Sequence, residues 1–257
     1  MLLAIDIGNT NITWGVFDGE ELRANWRMAT DVHQMPDEYA ALFLNLLHHR
    51  GLRAENITEA SLCTVVPPLL GTFKELLERY FNITPLVIEA GVKTGVRILL
   101  DNPREVGADR IVTVAAAHRL YGGPLIIVDF GTATTFDAVS KEGDFLGGAI
   151  APGINIAAEA LFTRTAALPR VELVRPTHAI GSSTIAAMQS GIVFGYVGLI
   201  EGVVNRIRYE LGGQAKVVAT GGYARIIASE TKVIDIVNPD LILIGLRLIY
   251  LMNRAQP

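Results

Sequence analysis

Leu125-Ile126-Ile127-Val128-Asp129-Phe130-Gly131-Thr132-Ala133-Thr134 reads as an apolar strand that ends on a carboxylate and turns through a glycine into hydroxyl-bearing residues. The start of the chain carries the same pattern in Leu2-Leu3-Ala4-Ile5-Asp6-Ile7-Gly8-Asn9-Thr10-Asn11. Strands are therefore expected over Leu2–Asp6 and Leu125–Asp129. Two further strand-like runs follow each of them. Asn11–Phe17 and Glu21–Met28 flank the turn signal Asp18-Gly19, while Thr134–Ser140 and Phe145–Ala151 flank Lys141-Glu142-Gly143-Asp144.

Beyond these hairpins both halves change to alternating helices and strands. In the first half, a helix after Pro36 carries Tyr39, Leu42, Phe43, Leu46 and Leu47 on one face. Strand Ala60–Val66, helix Leu69–Phe81, strand Pro85–Ile88 and a helix from about Pro103 to the break at Gly122-Gly123-Pro124 come next. In the second half, helices from Ile154 and Ser183 precede strand Lys216–Thr220, a short helix, strand Lys232–Ile236 and helix Pro239–Asn253. Similar order in both halves implies an internal duplication. The expected fold is α/β, with domains over 1–120 and 121–257 and a nucleotide-binding cleft between them.

Composition narrows the function. The 257 residues are half hydrophobic, which excludes disorder, and 22 basic against 26 acidic side chains leave a net charge of −4. That balance argues against a nucleic-acid binder working through a basic face. One cysteine permits no internal disulfide, as expected of a cytosolic protein. Cys63, in Leu62-Cys63-Thr64-Val65-Val66, reads as a buried and inert thiol. The N-terminus has no basic region before its first apolar run, which Asp6 interrupts, so a signal peptide is not expected. Residues 179–200 carry no formal charge, yet Ser182, Ser183, Thr184, Gln189 and Ser190 make a membrane span costly. Small residues at Ala186, Ala187, Gly191, Gly195 and Gly198 predict instead a helix packed closely against other protein surfaces. The sequons at Asn56 and Asn82 are chance matches in a chain that is not exported, and His48-His49 reads as a polar helix end.

Chemistry concentrates in the glycine turns. Glycine lets backbone N–H groups approach a phosphate, Asn and Thr add donors, and a neighbouring carboxylate holds a cation that screens phosphate charge. One Asp-x-Gly turn is a common hairpin; two at matching positions in a duplicated fold point to a nucleotide clamp. Thr220-Gly221-Gly222 either admits a flat ligand such as adenine or tightens a strand-to-helix turn, and Gly147-Gly148 to Pro152-Gly153 is open in the same way. Gly107-Ala108-Asp109-Arg110 sets opposite charges at an apolar helix start, suited to a base and a carboxylate-binding guanidinium or else to a local ion pair. Walker A, G-x-G-x-x-G, H-E-x-x-H, C-x-x-C and G-x-S-x-G patterns are absent from the sequence.

These segments, together with Asp101-Asn102-Pro103, resemble the type III pantothenate kinases, within the superfamily of actin, heat-shock chaperones and sugar kinases with duplicated ribonuclease H-like domains. The resemblance implies ATP-dependent phosphorylation of pantothenate, the first step of coenzyme A biosynthesis, by a cytoplasmic homodimer. It assigns the phosphate motif to Asp6, Gly8, Asn9, Thr10, Asn11 and Thr13, with Asp6 near Mg²⁺. It makes Asp109 the base and Gly107, Ala108, Asp109, Arg110 and Thr184 the pantothenate contacts. Asp129 becomes a ligand of K⁺ or NH₄⁺, and Thr132, Gly221 and Gly222 become nucleotide contacts. Uncharged 179–200 is then a contributor to the dimer interface. Leu100 stands where many members carry Tyr, so the pantothenate pocket is expected to be altered there. The rival readings are a kinase of another hydroxylated small molecule and a binding protein that has lost catalysis.

Overall fold

The computed structural model describes residues 1–254. β1 (Leu2–Ile7), β2 (Asn11–Asp18) and β3 (Glu21–Ala29) precede α1 (Pro36–His49), β4 (Glu59–Thr64), α2 (Pro67–Phe81) and β5 (Leu86–Val87). α3 (Ala108–Tyr121) leads to β6 (Leu125–Phe130), β7 (Ala133–Val139), β8 (Phe145–Pro152), α4 (Ile154–Arg164) and α5 (Thr184–Glu210). β9 (Lys216–Gly221), α6 (Ala224–Ala228), β10 (Ile236–Val237) and α7 (Leu241–Asn253) complete the chain.

The duplication is visible in the sheets. One has the order β3-β2-β1-β4-β5 and the other β8-β7-β6-β9-β10, which is the same order five strands later. In each, the first three strands pair antiparallel, and the fourth and fifth add parallel strands. The chain forms two compact units that are not continuous segments. The first takes residues 1–95, 104–116 and the C-terminal segment from Ile242; the second takes 96–103 and 117–241.

In the first unit, strand alternation sends Leu3, Ile5 and Ile7 to one face and Leu2, Ala4 and Asp6 to the other. The first face packs on α1 and α2, with Trp14 stacked on Phe43 at 4.1 Å. The second packs on α3 and α7 through Val112, Leu243, Leu246 and Ile249. Close approach here depends on missing side chains. A Cβ at Gly15 would lie 2.7 Å from Leu243, and one at Gly245 would lie 2.2 Å from the Val112 carbonyl. The second unit buries Ile126, Val128 and Phe136 of its sheet against Ile192, Val193, Tyr196, Ile200 and Val204 of α5.

Three expectations change. The helix expected from Pro103 begins as a separate 3-10 turn at Pro103–Glu105, and α3 starts only at Ala108. The strand expected over Lys232–Ile236 is Ile236–Val237, because the Asp235 carboxylate accepts the Val217 N–H at 2.7 Å where a ladder bond would run. Gly191, Gly195 and Gly198 of α5 are exposed, with open space where a Cβ would stand, so the close approach they make possible is not used within this chain. α5 is long and apolar enough to cross a membrane by length and composition, yet its apolar stripe is core of the second unit.

Candidate active site

Asp6 is the penultimate residue of β1, and the register places Cys63 of β4 on one side of it and Thr13 of β2 on the other. The turn beyond is closed by the Gly8 N–H donating to the Asn11 carbonyl at 3.0 Å. Thr30 then holds that turn from β3's end, its hydroxyl donating to the Gly8 carbonyl at 2.6 Å and its N–H to the Thr10 carbonyl at 3.0 Å. Asn9, Thr10 and Asn11 stay exposed at the surface of the turn.

The carboxyl of Asp6 is enclosed, and burial pushes its pKa to about 7, with the charge of Asp109 adding to the rise. Cys63 counteracts this, its thiol donating to Asp6 Oδ1 at 3.1 Å. Burial also raises the pKa of Asp109 above the usual carboxylate range, while the Arg110 N–H, donating to Asp109 Oδ1 at 2.8 Å, pulls the other way. Gly107 is required by this arrangement, since a Cβ there would sit 2.4 Å from Asp109 Oδ1. The first unit thus brings Asp6, Asp109 and Gly107 into one neighbourhood. Cys63 is buried as expected, but its hydrogen bond to Asp6 is a contact that sequence reading missed, since only register reveals it.

The second unit repeats the frame around Asp129. β6 has the same burial sequence as β1, with the aspartate as the one partly buried position. Register sets Thr220 and Thr135 beside it, and the turn closes with the Gly131 N–H donating to the Ala133 carbonyl at 3.1 Å. Gly221 adopts φ +88°, and a Cβ there would lie 2.5 Å from Asp129 Oδ1, so its bareness opens one side of the carboxylate. Gly222 donates to the Phe130 carbonyl at 3.2 Å, and Gly153 fits against the Thr132 carbonyl with no room for a side chain. Asp129, Thr132, Gly221 and Gly222 are therefore gathered at one sheet end.

Thr184 belongs to α5. It opens α5 after Ser183, whose hydroxyl caps the helix by accepting the Ala186 N–H at 3.2 Å. There it lines a mostly apolar cavity of about 670 Å³ with Ala157, Leu161, Met188, Gly191 and Gly195, a feature that sequence reading did not anticipate. Leu100 lies over Gly147 of β8, 3.0 Å from where a Cβ would stand.

The type III pantothenate kinase family pattern matches residues 2–206. A type III pantothenate kinase of Dehalococcoides mccartyi strain CBDB1 is 55% identical over 254 residues, 99% of this chain and 97% of that one. The chain belongs to the type III pantothenate kinase family. Two solved structures share the fold of this family member across nearly its whole length. A Campylobacter jejuni protein described as a Baf family transcriptional activator aligns with a TM-score of 0.60 at 22% identity, covering 98% of each chain. A Sinorhizobium meliloti protein described as a 2-dehydro-3-deoxygalactonokinase aligns with a TM-score of 0.59 at 12% identity, covering 100% of this chain and 98% of that one. The chain thus shares its duplicated α/β fold with both of these solved structures.

Proposed function

We propose that this protein phosphorylates pantothenate with ATP to give 4′-phosphopantothenate, the first step of coenzyme A biosynthesis. Full-length kinship to type III pantothenate kinases supports the activity. The observation that carries the chemistry is the enclosed pair Asp6 and Asp109 beside a turn with exposed amide and hydroxyl donors.

Asp109 is the proton acceptor in this reading. The primary hydroxyl of pantothenate gives its proton to the carboxylate as its oxygen bonds to the γ-phosphorus and ADP departs. Gly107, Ala108, Arg110 and Thr184 are assigned to pantothenate. Asn9, Thr10, Asn11 and Thr13, with the Gly8 backbone, are assigned to phosphate, and Thr132, Gly221 and Gly222 to the nucleotide.

The donor sets fit the expected cations. Asp6 is a hard oxygen ligand whose neighbour Asp109 makes positive charge welcome, and no group of three His, Cys, Asp or Glu forms a closed metal cage among the described residues. That suits Mg²⁺, which keeps waters and takes one or two carboxylates plus substrate phosphates. When bound, Mg²⁺ supplies charge neutralisation at the transferring phosphoryl group. Asp129, with the space left by Gly221, suits K⁺ or NH₄⁺. A cytoplasmic homodimer is part of the proposal, with the exposed glycine face of α5 contributing to the interface.

Steady-state assays of the purified chain with pantothenate and ATP-Mg²⁺, with and without K⁺, test this reading. Pantothenate turnover stimulated by K⁺ is expected. Phosphorylation of sugars or glycerol in its place overturns the acceptor, and turnover indifferent to K⁺ and NH₄⁺ overturns the role of Asp129. Light scattering on the same sample reads the dimer.

A further inference from the structure

We propose that Arg27 is the cationic side chain that contacts the phosphate chain of the nucleotide at the Asp6 turn. The inference rests on the reading of that turn as a phosphate site and adds a residue which that reading leaves out. The glycine turns themselves hold no lysine, so backbone and hydroxyl donors leave much phosphate charge unbalanced.

Register supplies the missing charge. Cys63 pairs with Asp6, Asp6 with Thr13, and Thr13 with Arg27, giving one row across β4, β1, β2 and β3. Directly paired residues project from the same face, so Arg27 shares its face with the Asp6 carboxyl about two strand spacings away, roughly 10 Å. Arg27 is among the charges that act on the Asp6 carboxyl, in the direction of attraction. Arg27 is exposed and forms no ion pair among the described residues, so its planar donors remain available. A guanidinium recognises phosphate oxygens by paired hydrogen bonds, which an ammonium does not reproduce.

The duplicate acts as an internal control. Its row runs Thr220, Asp129, Thr135, Ile150, so the position equivalent to Arg27 holds an isoleucine that is 67% exposed. A cation at this place is therefore not a requirement of the repeated fold. It belongs to the copy whose aspartate stands beside the proposed base.

Calorimetric titration with the ATP analogue AMPPNP and with adenosine, both in Mg²⁺, tests the inference on wild type, Arg27→Gln and Arg27→Lys. Arg27→Gln is expected to bind AMPPNP about 10- to 100-fold more weakly while adenosine affinity stays at the wild-type value. Arg27→Lys should fall between them, and KM for ATP should rise more than KM for pantothenate. Unchanged AMPPNP affinity in Arg27→Gln overturns the proposal, as does an equal loss for adenosine, which marks a structural role. A wild-type chain that binds no AMPPNP overturns the phosphate-site reading itself and this inference with it. Wild type that binds AMPPNP without phosphorylating pantothenate overturns only the acceptor, and the Arg27 comparison still decides.

Discussion

The turns after β1 and β6 share a frame and differ in what surrounds it. Each follows a strand with four buried residues, a partly buried aspartate and a buried hydrophobe. Between the last paired residues the first turn holds Gly8 to Asn11 and the second Gly131 to Ala133, so the first is one residue longer. Beside Asp6 stand a thiol and an arginine row; beside Asp129 stand a threonine and the bare backbone of Gly221. The repeat thus preserves a carboxylate at a sheet end and spends its variation on the neighbours. Those neighbours separate a proposed phosphate and proton-transfer site from a proposed monovalent-cation site.

The sharpest break concerns Asp109, the proposed base, whose charge acts on Asp6. Asp109→Asn should lower kcat by about 10²–10⁴-fold with the thermal transition preserved, because the side chain remains nearly isosteric and the proton acceptor is gone. Rates within a few-fold of wild type would remove the base from the first copy and with it the largest difference proposed between the two turns.

Next in size are the glycines. Gly221→Ala places a methyl 2.5 Å from Asp129 Oδ1 and 2.7 Å from the Phe130 backbone, at φ +88°, where side chains are strained. It should cost about 1–3 kcal/mol and abolish stimulation by K⁺. Gly8→Ala meets the Asn11 carbonyl at 3.0 Å, a contact that a small shift of the turn relieves. It should cost less stability while raising KM for ATP. Equal stability losses in the two melting curves would contradict the contrast between the two turns.

Charge burial gives a third test, on the ligand-free protein. Folded Asp6 holds its proton up to about pH 7, whereas the unfolded chain releases it near 3.8. The unfolded state therefore binds fewer protons across that window, and this group's contribution to stability declines as pH rises from 3.8 to about 7, then levels. Asp6→Asn removes that slope. Its melting temperature should exceed that of wild type by a few degrees at pH 8 and by less at pH 5. A constant offset between the two pH values would show that Asp6 is not held neutral.

Much of this was legible in the sequence because period-2 strands, Asp-Gly turns and helix signals are local. The duplicated order, both aspartate turns and Gly107 to Arg110 could all be read that way. The proposed boundary at 120 marks where the repeat restarts, whereas the compact units depend on long-range packing: Ile242 onward returns to the first unit. Only register reveals that Arg27 and Cys63 share a row with Asp6, since pairing across strands has no signature in a single strand. The α5 glycines are ambiguous for a similar reason. Small residues announce close approach or open space equally well, and here they face outward.

The smallest predicted effect lies in that row. Cys63 is the only described cysteine, and its thiol donates to Asp6 at 3.1 Å, in the position that Thr220 occupies beside Asp129. A donor on the fourth strand is thus common to both frames, which argues that orientation of the carboxylate, not thiol chemistry, is what the position supplies. Cys63→Ala removes the donor and should raise KM for ATP-Mg²⁺ about 3- to 10-fold with little change in kcat. Cys63→Ser restores an O–H donor of similar size and should recover the wild-type KM. Loss of packing alone predicts the opposite order, because a buried hydroxyl is costlier than a methyl in an apolar pocket. Serine matching alanine in KM would therefore assign Cys63 to the core and leave Asp6 to be oriented by its strand.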